Sequence, residues 1–383
     1  MCCLSCYVRC SVMVFRVLAA GLFASLCMAD WGVAQPAPEW KQADAGRPIT
    51  LPADHASHPD YKLEWWYYTG NLDAADGRRF GYQLTFFRIG VSPAPANRSR
   101  WAVRDLYMTH LALTDVNGRT YRYIERMNRS GPGWAGAATD VYKVWNEDWE
   151  ATRDPAGVHT LRASSREFGL DLRLEESRRA VLHGERGYSR KGAAAGNASH
   201  YYSFTRMPTR GTVTVAGRTT EVTGQSWMDH EFGTSFLEPE QAGWDWFSIQ
   251  LDDGRDLMIF QLRRADGSID PRSAGTLVEP DGSTTPVTLD TGFRLEPGRT
   301  WTSGTSGGRY PIAWTVRLPR FDVTLSISAA VEDQELHARG SSGVAYWEGA
   351  IDVAGTVRSR PVKGRGYLEM TGYSGTPMGR LMR

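Results

Sequence analysis

The sequence predicts an all-β protein made of two tandem antiparallel β-barrels, and three observations lead to that class. First, one strand–turn–strand signature occurs twice. It reads Trp65-Trp66-Tyr67-Tyr68, Asp76-Gly77-Arg78 and Tyr82-Gln83-Leu84 in the first half. In the second half it reads Trp244-Asp245-Trp246-Phe247, Asp252-Asp253-Gly254-Arg255 and Phe260-Gln261-Leu262. Second, Trp66 and Trp246 stand 180 residues apart, a period too long for a solenoid unit and suited to two related domains. Third, no stretch keeps a 3.6-residue apolar period beyond about two turns of helix. Strand-like runs recur instead at short intervals, separated by Gly, Asn and Pro. The meandering order favours up-and-down barrels, whose interior has room for one small ligand.

Taken along the chain, the first element is a leader. Residues 14–28 form an apolar run containing Arg16, and Gly32-Val33-Ala34 offers small residues at the cleavage positions. This predicts a secretory signal peptide over 1–34, too short and wrongly flanked for a membrane anchor. All five cysteines (Cys2, Cys3, Cys6, Cys10 and Cys27) lie within it. Leu26 before Cys27 disfavours a lipoprotein site. A chain starting near Gln35 has no disulfide, no thiolate nucleophile and no Cys-ligated metal. Residues 35–59, rich in Pro, Ala and Asp, read as an extended lead-in.

The first barrel is expected over 60–236, with strands at 64–72, 79–89, 104–114 and 120–126. Asp115-Val116-Asn117-Gly118-Arg119 supplies the hairpin turn between the last two, because Asn-Gly favours positive φ. Further strands are predicted at 158–164, 169–175, 200–206, 212–215 and 220–227, with 190–199 as a Gly/Ala loop. The second barrel, 237–383, has strands at 244–251, 256–263, 276–278, 285–289, 312–318 and 321–329. It closes with strands at 345–349 and 364–372. The Ser/Thr/Gly-rich stretch 300–309 reads as a loop.

The charge balance, 44 Lys and Arg against 43 Asp and Glu, gives no electrostatic case for a nucleic-acid partner. Fourteen Trp residues point instead to large aromatic surfaces lining a core or an apolar cavity. Alternation in a strand sends Trp65 and Tyr67 to one face and Trp66 and Tyr68 to the other. One face fills the barrel, and the other packs on a neighbour or lines a cleft.

Asp229-His230-Glu231 is the densest titratable group. In a strand its acids share one face and His230 takes the other, so the tripeptide is not a chelate by itself. Phe-Gly-Thr-Ser follows His230-Glu231, so the helical zinc pattern HExxH fails. What remains is an acid–base site beside Trp227 and Phe232, where burial against indole raises a carboxyl pKa. The alternative is a salt-bridged cluster at a domain junction. Asp245 alternates away from Trp244 and Trp246, and the expected side is solvent. His110 reads as a structural histidine in an alternating strand. Gly304-Thr305-Ser306-Gly307-Gly308 matches the nucleophile-elbow string but lacks the strand-to-helix setting that an elbow needs. No cofactor or metal motif is present in the sequence.

Several long segments carry a family resemblance. They are Glu64-Trp65-Trp66-Tyr67-Tyr68-Thr69-Gly70-Asn71-Leu72, Ser226-Trp227-Met228-Asp229-His230-Glu231-Phe232-Gly233 and Gly243-Trp244-Asp245-Trp246-Phe247-Ser248-Ile249-Gln250-Leu251. Tyr346-Trp347-Glu348-Gly349 and Gly366-Tyr367-Leu368-Glu369-Met370-Thr371-Gly372-Tyr373 complete the set. The chain resembles, over about 50–375, the bacterial lipocalin-like family of carotenoid 1,2-hydratase (hydroxyneurosporene synthase) and the AttH-type proteins labelled secreted hydrolases. The resemblance implies two lipocalin-like (calycin) barrels. It also implies a His-x-Trp element and a nearby Asp acting on a carbon–carbon double bond. His230 matches that His, Phe232 stands at the Trp, and Asp245 or Asp229 is the candidate acid. Fungal relatives of the architecture are implicated in cycloadditions, so the fold leaves the chemistry open.

The expectation is a periplasmic or secreted protein that takes an apolar small molecule or lipid. Trp65, Trp66, Tyr67, Trp227, Phe232, Trp244 and Trp246 are the candidate binding residues, and no cofactor is expected. Two functions are weighed: hydro-lyase-type acid catalysis by Asp245, Asp229 and His230, and a non-catalytic carrier working with a cognate ABC transporter. Both allow peripheral contact with a membrane.

Overall fold

The computed structural model describes residues 39–95, 99, 101–194, 196–235, 237–375 and 378. The predicted leader, its cysteines and its cleavage positions lie outside the described residues.

β1 (Leu63–Ala74) carries the Trp-Trp-Tyr-Tyr run and turns at Gly77, φ 84°, into β2 (Arg79–Gly90). β3 (Asp105–Asp115) and β4 (Thr120–Arg129) extend the meander. Three short strands follow: β5 (Ala135–Ala137), β6 (Lys143–Asn146) and β7 (Trp149–Arg153). Then come β8 (Val158–Ser164), β9 (Phe168–Glu175), β10 (Val181–Leu182) and β11 (Tyr188–Arg190). Two long strands, β12 (Ala198–Val215) and β13 (Arg218–Ser235), return the chain to β1. The sheet order is β4-β3-β2-β1-β13-β12-β9-β8-β7-β6-β5, with β10 and β11 paired to β12.

This sheet curls into a nearly closed barrel. Asn146 pins the seam: it accepts from Asn128 Nδ2 at 2.8 Å and donates to Thr109 Oγ1 at 3.0 Å, while its carbonyl accepts from Arg126 at 3.2 Å.

The second sheet starts with β14 (Gln241–Leu251), β15 (Asp256–Arg264), β16 (Ala274–Val278), β17 (Thr284–Thr288) and β18 (Arg294–Pro297). A separate ribbon joins β19 (Thr300–Thr302) to β20 (Arg309–Pro311). β21 (Ala313–Leu318), β22 (Val323–Ala329), β23 (Glu335–His337), β24 (Ala345–Val357) and β25 (Arg360–Met370) complete it. Its order, β17-β16-β15-β14-β25-β24-β22-β21-β18, repeats the plan of the first sheet: a four-strand meander whose opening strand pairs with the last strand of the unit.

The duplication therefore holds in topology, while the aligned tryptophans do not match. Trp66 lies inside the first barrel with Tyr68, Leu72 and Phe80, whereas Trp246 packs between the two sheets with Tyr67 and Trp227. A one-residue change of register moves a strand residue to the other face, and the sequence alignment is out by that step.

Other differences are local. The segments predicted at 200–206 and 212–215 are one strand, which continues through a bulge between Phe204 and Met207. The segment predicted at 220–227 runs on through Asp229-His230-Glu231 to Ser235. The strands β5–β7 were not expected, and the ends of the predicted 300–309 loop form the small ribbon.

The sheets meet through the faces turned away from their own cores. Leu63, Trp65, Tyr67 and Thr69 on β1 share that outward face with Asp229 and Glu231 on β13, their register partners being Tyr67↔Asp229 and Trp65↔Glu231. Opposite them, β14 turns Trp244 and Trp246 outward and sends Phe247, Ile249 and Leu251 into the second core. Gly81 permits the close approach, since a Cβ there would stand 2.7 Å from Ala350 Cβ. Asn71 Nδ2 donates to Gly366 O at 3.1 Å, Gln250 Nε2 to Ser226 O at 3.1 Å, and Arg365 pairs with Asp73 at 2.7 Å.

Candidate active site

A cavity of about 480 Å³ opens between the two outward faces. Its walls are mostly apolar: Trp65, Phe87 and Met108 come from the first sheet, and Trp244, Trp246 and Phe260 from the second. Asp229, Glu231, Glu348 and Glu369 are set into these walls, together with Tyr67, Tyr201, Tyr346, His110 and Lys191. Strand alternation explains the gathering, because each of these acids stands at an outward position.

Asp229 is 4% exposed and accepts three hydrogen bonds. Trp227 Nε1 and Tyr201 OH donate at 2.6 Å each, and Ser203 Oγ donates the third. Burial outweighs these bonds and, with the charge of Glu231, pushes the Asp229 carboxyl up to about 7. Glu231 pairs with Lys191 at 3.2 Å and accepts from Ser199. The Lys191 ammonium lies 4.1 Å from the centre of the Phe260 ring and 5.0 Å from that of Tyr201.

Across the cavity, Glu369 is half-buried and Glu348 is 1% exposed; the two are register partners on β25 and β24. Burial raises both. A hydrogen bond from Trp244 opposes the rise at Glu369, and the charges of Asp229 and Glu231 add to it, which leaves that carboxyl at about 7. Burial and the charge of Glu369 push Glu348 well above the usual carboxylate range. The Tyr67 phenol lies against the Glu348 carboxyl and opposes that rise, and both groups are buried away from solvent.

His230 and Asp245 lie elsewhere. His230 points into the first barrel, stacked on Trp66 at 5.2 Å, with Nε2 2.9 Å from Glu64 Oε1 and Nδ1 2.9 Å from Tyr202 OH. Burial would raise the Glu64 carboxyl, but bonds from His230 and His58 and the charge of Arg88 hold it well below its ordinary value. Ligand atoms of His58, Glu64 and His230 come within 4.8 Å of one another. Arg88 Nε lies 3.1 Å from Glu64, and Ser57 Oγ donates to it at 2.7 Å, so the carboxylate works as an ion-pair hub. Phe232 stacks on His58 at 3.5 Å on the same side.

Asp245 was expected to face solvent and is fully buried instead. It lies on the inner face of the second sheet, 3.1 Å from Arg263 Nε and accepting from Tyr373 OH at 2.9 Å. The reason is that β14 is covered on both faces, so the side opposite the tryptophans is core, not water.

Of the predicted aromatics, Trp65, Tyr67, Trp244 and Trp246 line the cavity, and Trp227 stands behind it, edge-on to Trp246. Trp66 and Phe232 do not reach it. His110, read as structural, does line it and bonds Tyr346 OH at 2.7 Å. Ser306 of the elbow-like string donates to Glu335. Glu348 and Glu369 were not singled out, although each is an acid beside an aromatic or apolar residue in a strand, the same signal that marked Asp229.

The fold and the cavity can be set beside known proteins. An AttH protein of Nitrosomonas europaea superposes with a TM-score of 0.79 at 35% identity, over 87% of this chain and 99% of that one. Kievitone hydratase of Nectria haematococca shares the fold with a TM-score of 0.67 at 16% identity, over 88% and 97%. The dehydratase asqC of Emericella nidulans is 21% identical over 285 residues, 70% of this chain and 77% of that one. The AttH-like family profile matches residues 42–373, which takes in both sheets and every residue of the cavity wall except Met378. On that match the chain belongs to the AttH-like family.

Proposed function

We propose that the protein is a hydro-lyase-type enzyme that adds water to, or removes it from, a carbon–carbon double bond of an apolar substrate held between the sheets. The observation that carries this reading is a pair of carboxyls, Asp229 and Glu369, one from each sheet. Both open on one aromatic cavity, and both are held near 7. The hydratase and the dehydratase among the similar proteins support the same reaction class.

Glu369, protonated, delivers its proton to the less substituted alkene carbon. The cation formed lies against the faces of Trp65, Trp244 and Trp246. Asp229, ionised, takes a proton from the attacking water, whose oxygen bonds to the cation. Water has then been added. Glu369 is left ionised and Asp229 protonated, and exchange with solvent through the open mouth resets both. Dehydration runs the same steps in reverse.

The non-catalytic carrier is the second reading, favoured by the distance of His230 and Asp245 from the cavity and by Phe232 at the expected Trp. The apolar leader supports a periplasmic or secreted setting for either. In that setting peripheral membrane contact and exchange with an ABC transporter are the means of supply. The test is incubation of the purified protein with a lipid extract of its host in ¹⁸O-water, followed by untargeted mass spectrometry. Compounds that gain labelled oxygen with the wild type and not with Glu369→Gln support the hydro-lyase. Copurifying ligand without label incorporation leaves the carrier.

A further inference from the structure

The outer face of the first sheet does not stop at the cavity. Phe87 and Ile89 on β2, with their register partners Met108 and Leu106 on β3, line the wall. The same face continues to Val91, whose N–H donates to Arg104 O at 2.8 Å. It also continues to Met127 and Arg129 on β4, the partners of Met108 and Leu106. Beyond them the β2–β3 connection carries Trp101, and the β4–β5 connection carries Trp134. The two indoles meet edge-on with ring centres 6.3 Å apart, and the Arg129 guanidinium lies 6.0 Å from the centre of Trp101. Val91, Trp101, Met127 and Trp134 are 45–55% exposed, four of the six large hydrophobic side chains that the described residues leave open to solvent. Apolar residues scattered singly on a surface need no explanation, whereas a set continuous with an apolar cavity marks a contact surface.

We propose that this rim docks the protein on an anionic lipid bilayer, with Trp101 and Trp134 entering the head-group layer beside the cavity. The proposal rests on the apolar substrate argued above and names the surface through which that substrate arrives. Charge favours lipid phosphate as the partner. Arg104 and Arg129 are partly exposed and form no ion pair among the described residues. The acids on that side are already taken: Glu147, whose N–H bonds Trp134 O, and Asp148 are held by Arg126, and Asp60 by Lys41. Indole suits a head-group layer because its ring is apolar and its N–H polar, and an Arg stem can lie on that ring while its charge reaches phosphate. Met127 belongs to both the rim and the cavity wall, so a compound dissolved in the bilayer passes from one to the other without crossing water.

The test is sedimentation of the purified protein with vesicles of phosphatidylcholine, alone or with about one-third phosphatidylglycerol. The wild type should partition onto the anionic vesicles about ten-fold or more better than onto the neutral ones, and high salt should erase most of that margin. Replacing both indoles, Trp101→Ser with Trp134→Ser, should lower partitioning onto the anionic vesicles about ten-fold. Arg129→Gln should lower the anionic preference and leave partitioning onto neutral vesicles unchanged. These side chains lie at the surface, and melting temperatures near wild type show that the variants are folded. Failure to sediment with either vesicle, equal partitioning onto both, or wild-type partitioning by the double variant overturns the proposal. A concentration-dependent dimer that the double variant abolishes, in a protein that vesicles do not sediment, overturns it too and assigns the rim to a second copy of the chain. Because docking is read without turnover, anionic-vesicle binding by a protein that incorporates no ¹⁸O upholds the rim and removes the hydro-lyase. Label incorporation by a protein that vesicles do not sediment does the reverse.

Discussion

Glu348 and Glu369 stand directly opposite one another on neighbouring antiparallel strands, two acids facing the same cavity, and neither has an ion-pair partner among the described residues. Like charges at opposed strand positions destabilise a sheet, so this pair persists because at least one member is protonated. The sign of the linkage follows. The folded-state value of Glu348 is raised above its ordinary 4.5, so its stabilising contribution is complete below that value and is lost as pH rises toward the folded one. Glu348→Gln keeps the shape and removes the ionisation. Its melting temperature should match the wild type at pH 4. It should exceed the wild type increasingly above pH 5, by about 1.4 kcal/mol of stability per pH unit. Parallel stability–pH curves would show that Glu348 is ionised in the folded protein.

Asp229 and Glu369 set the expected pH dependence of turnover. Catalysis needs Asp229 ionised and Glu369 protonated, and both carboxyls sit near 7. Activity should therefore fall below 7 as Asp229 takes its proton and above 7 as Glu369 loses its own, which gives a narrow bell belonging to the pair. Either Asp229→Asn or Glu369→Gln should lower kcat about 10²–10⁴-fold and leave ligand affinity within a few-fold. Asp229→Asn should also abolish the acidic limb of the residual activity. A rate independent of pH between 5 and 9 would count against both roles.

How far the sequence could foretell this site depends on what alternation reveals. The all-β class was legible because turn residues and aromatic runs repeat in local windows. The separation of Trp65 and Tyr67 from Trp66 needed only the strand period of two. What a sequence cannot show is which faces are covered. Asp245 alternates away from two tryptophans, and that would mean water in a one-sided sheet; β14 is buried on both sides, so it means core. Likewise Asp229 and Glu369 are 140 positions apart in the numbering. They share a cavity only because two sheets of like topology pack outer face to outer face. Adjacency in Asp229-His230-Glu231 misled in the opposite direction, since neighbours in a strand belong to different compartments.

The leader can be tested without reference to the cavity. Residues 1–34 read as a cleaved signal peptide that contains all five cysteines. Protein recovered from the periplasm or medium should begin near Gln35 and show no thiol titratable in denaturant. Intact-mass measurement checks both at once. A lipid-modified Cys27 at the start of the chain would make it a lipoprotein instead.

His230 and Asp245 provide the last prediction, because the structure gives them structural partners and no access to the cavity. His230 bridges Glu64 and Tyr202 in the first barrel, and Asp245 neutralises Arg263 in the second core. Removing one member of a buried ionic or hydrogen-bonded pair leaves its partner desolvated and unsatisfied, a cost of about 2–4 kcal/mol. His230→Gln and Asp245→Asn should therefore lower the melting temperature clearly. At a temperature where both variants remain folded, turnover per folded molecule and the pH optimum should stay near wild type. Asp229→Asn should show the opposite division, losing turnover far more than stability, although it sits next to His230 in the chain. If His230→Gln abolished turnover in folded protein and shifted the pH profile, the acid–base chemistry would have to be placed inside the first barrel, around Glu64 and His58, and not between the sheets.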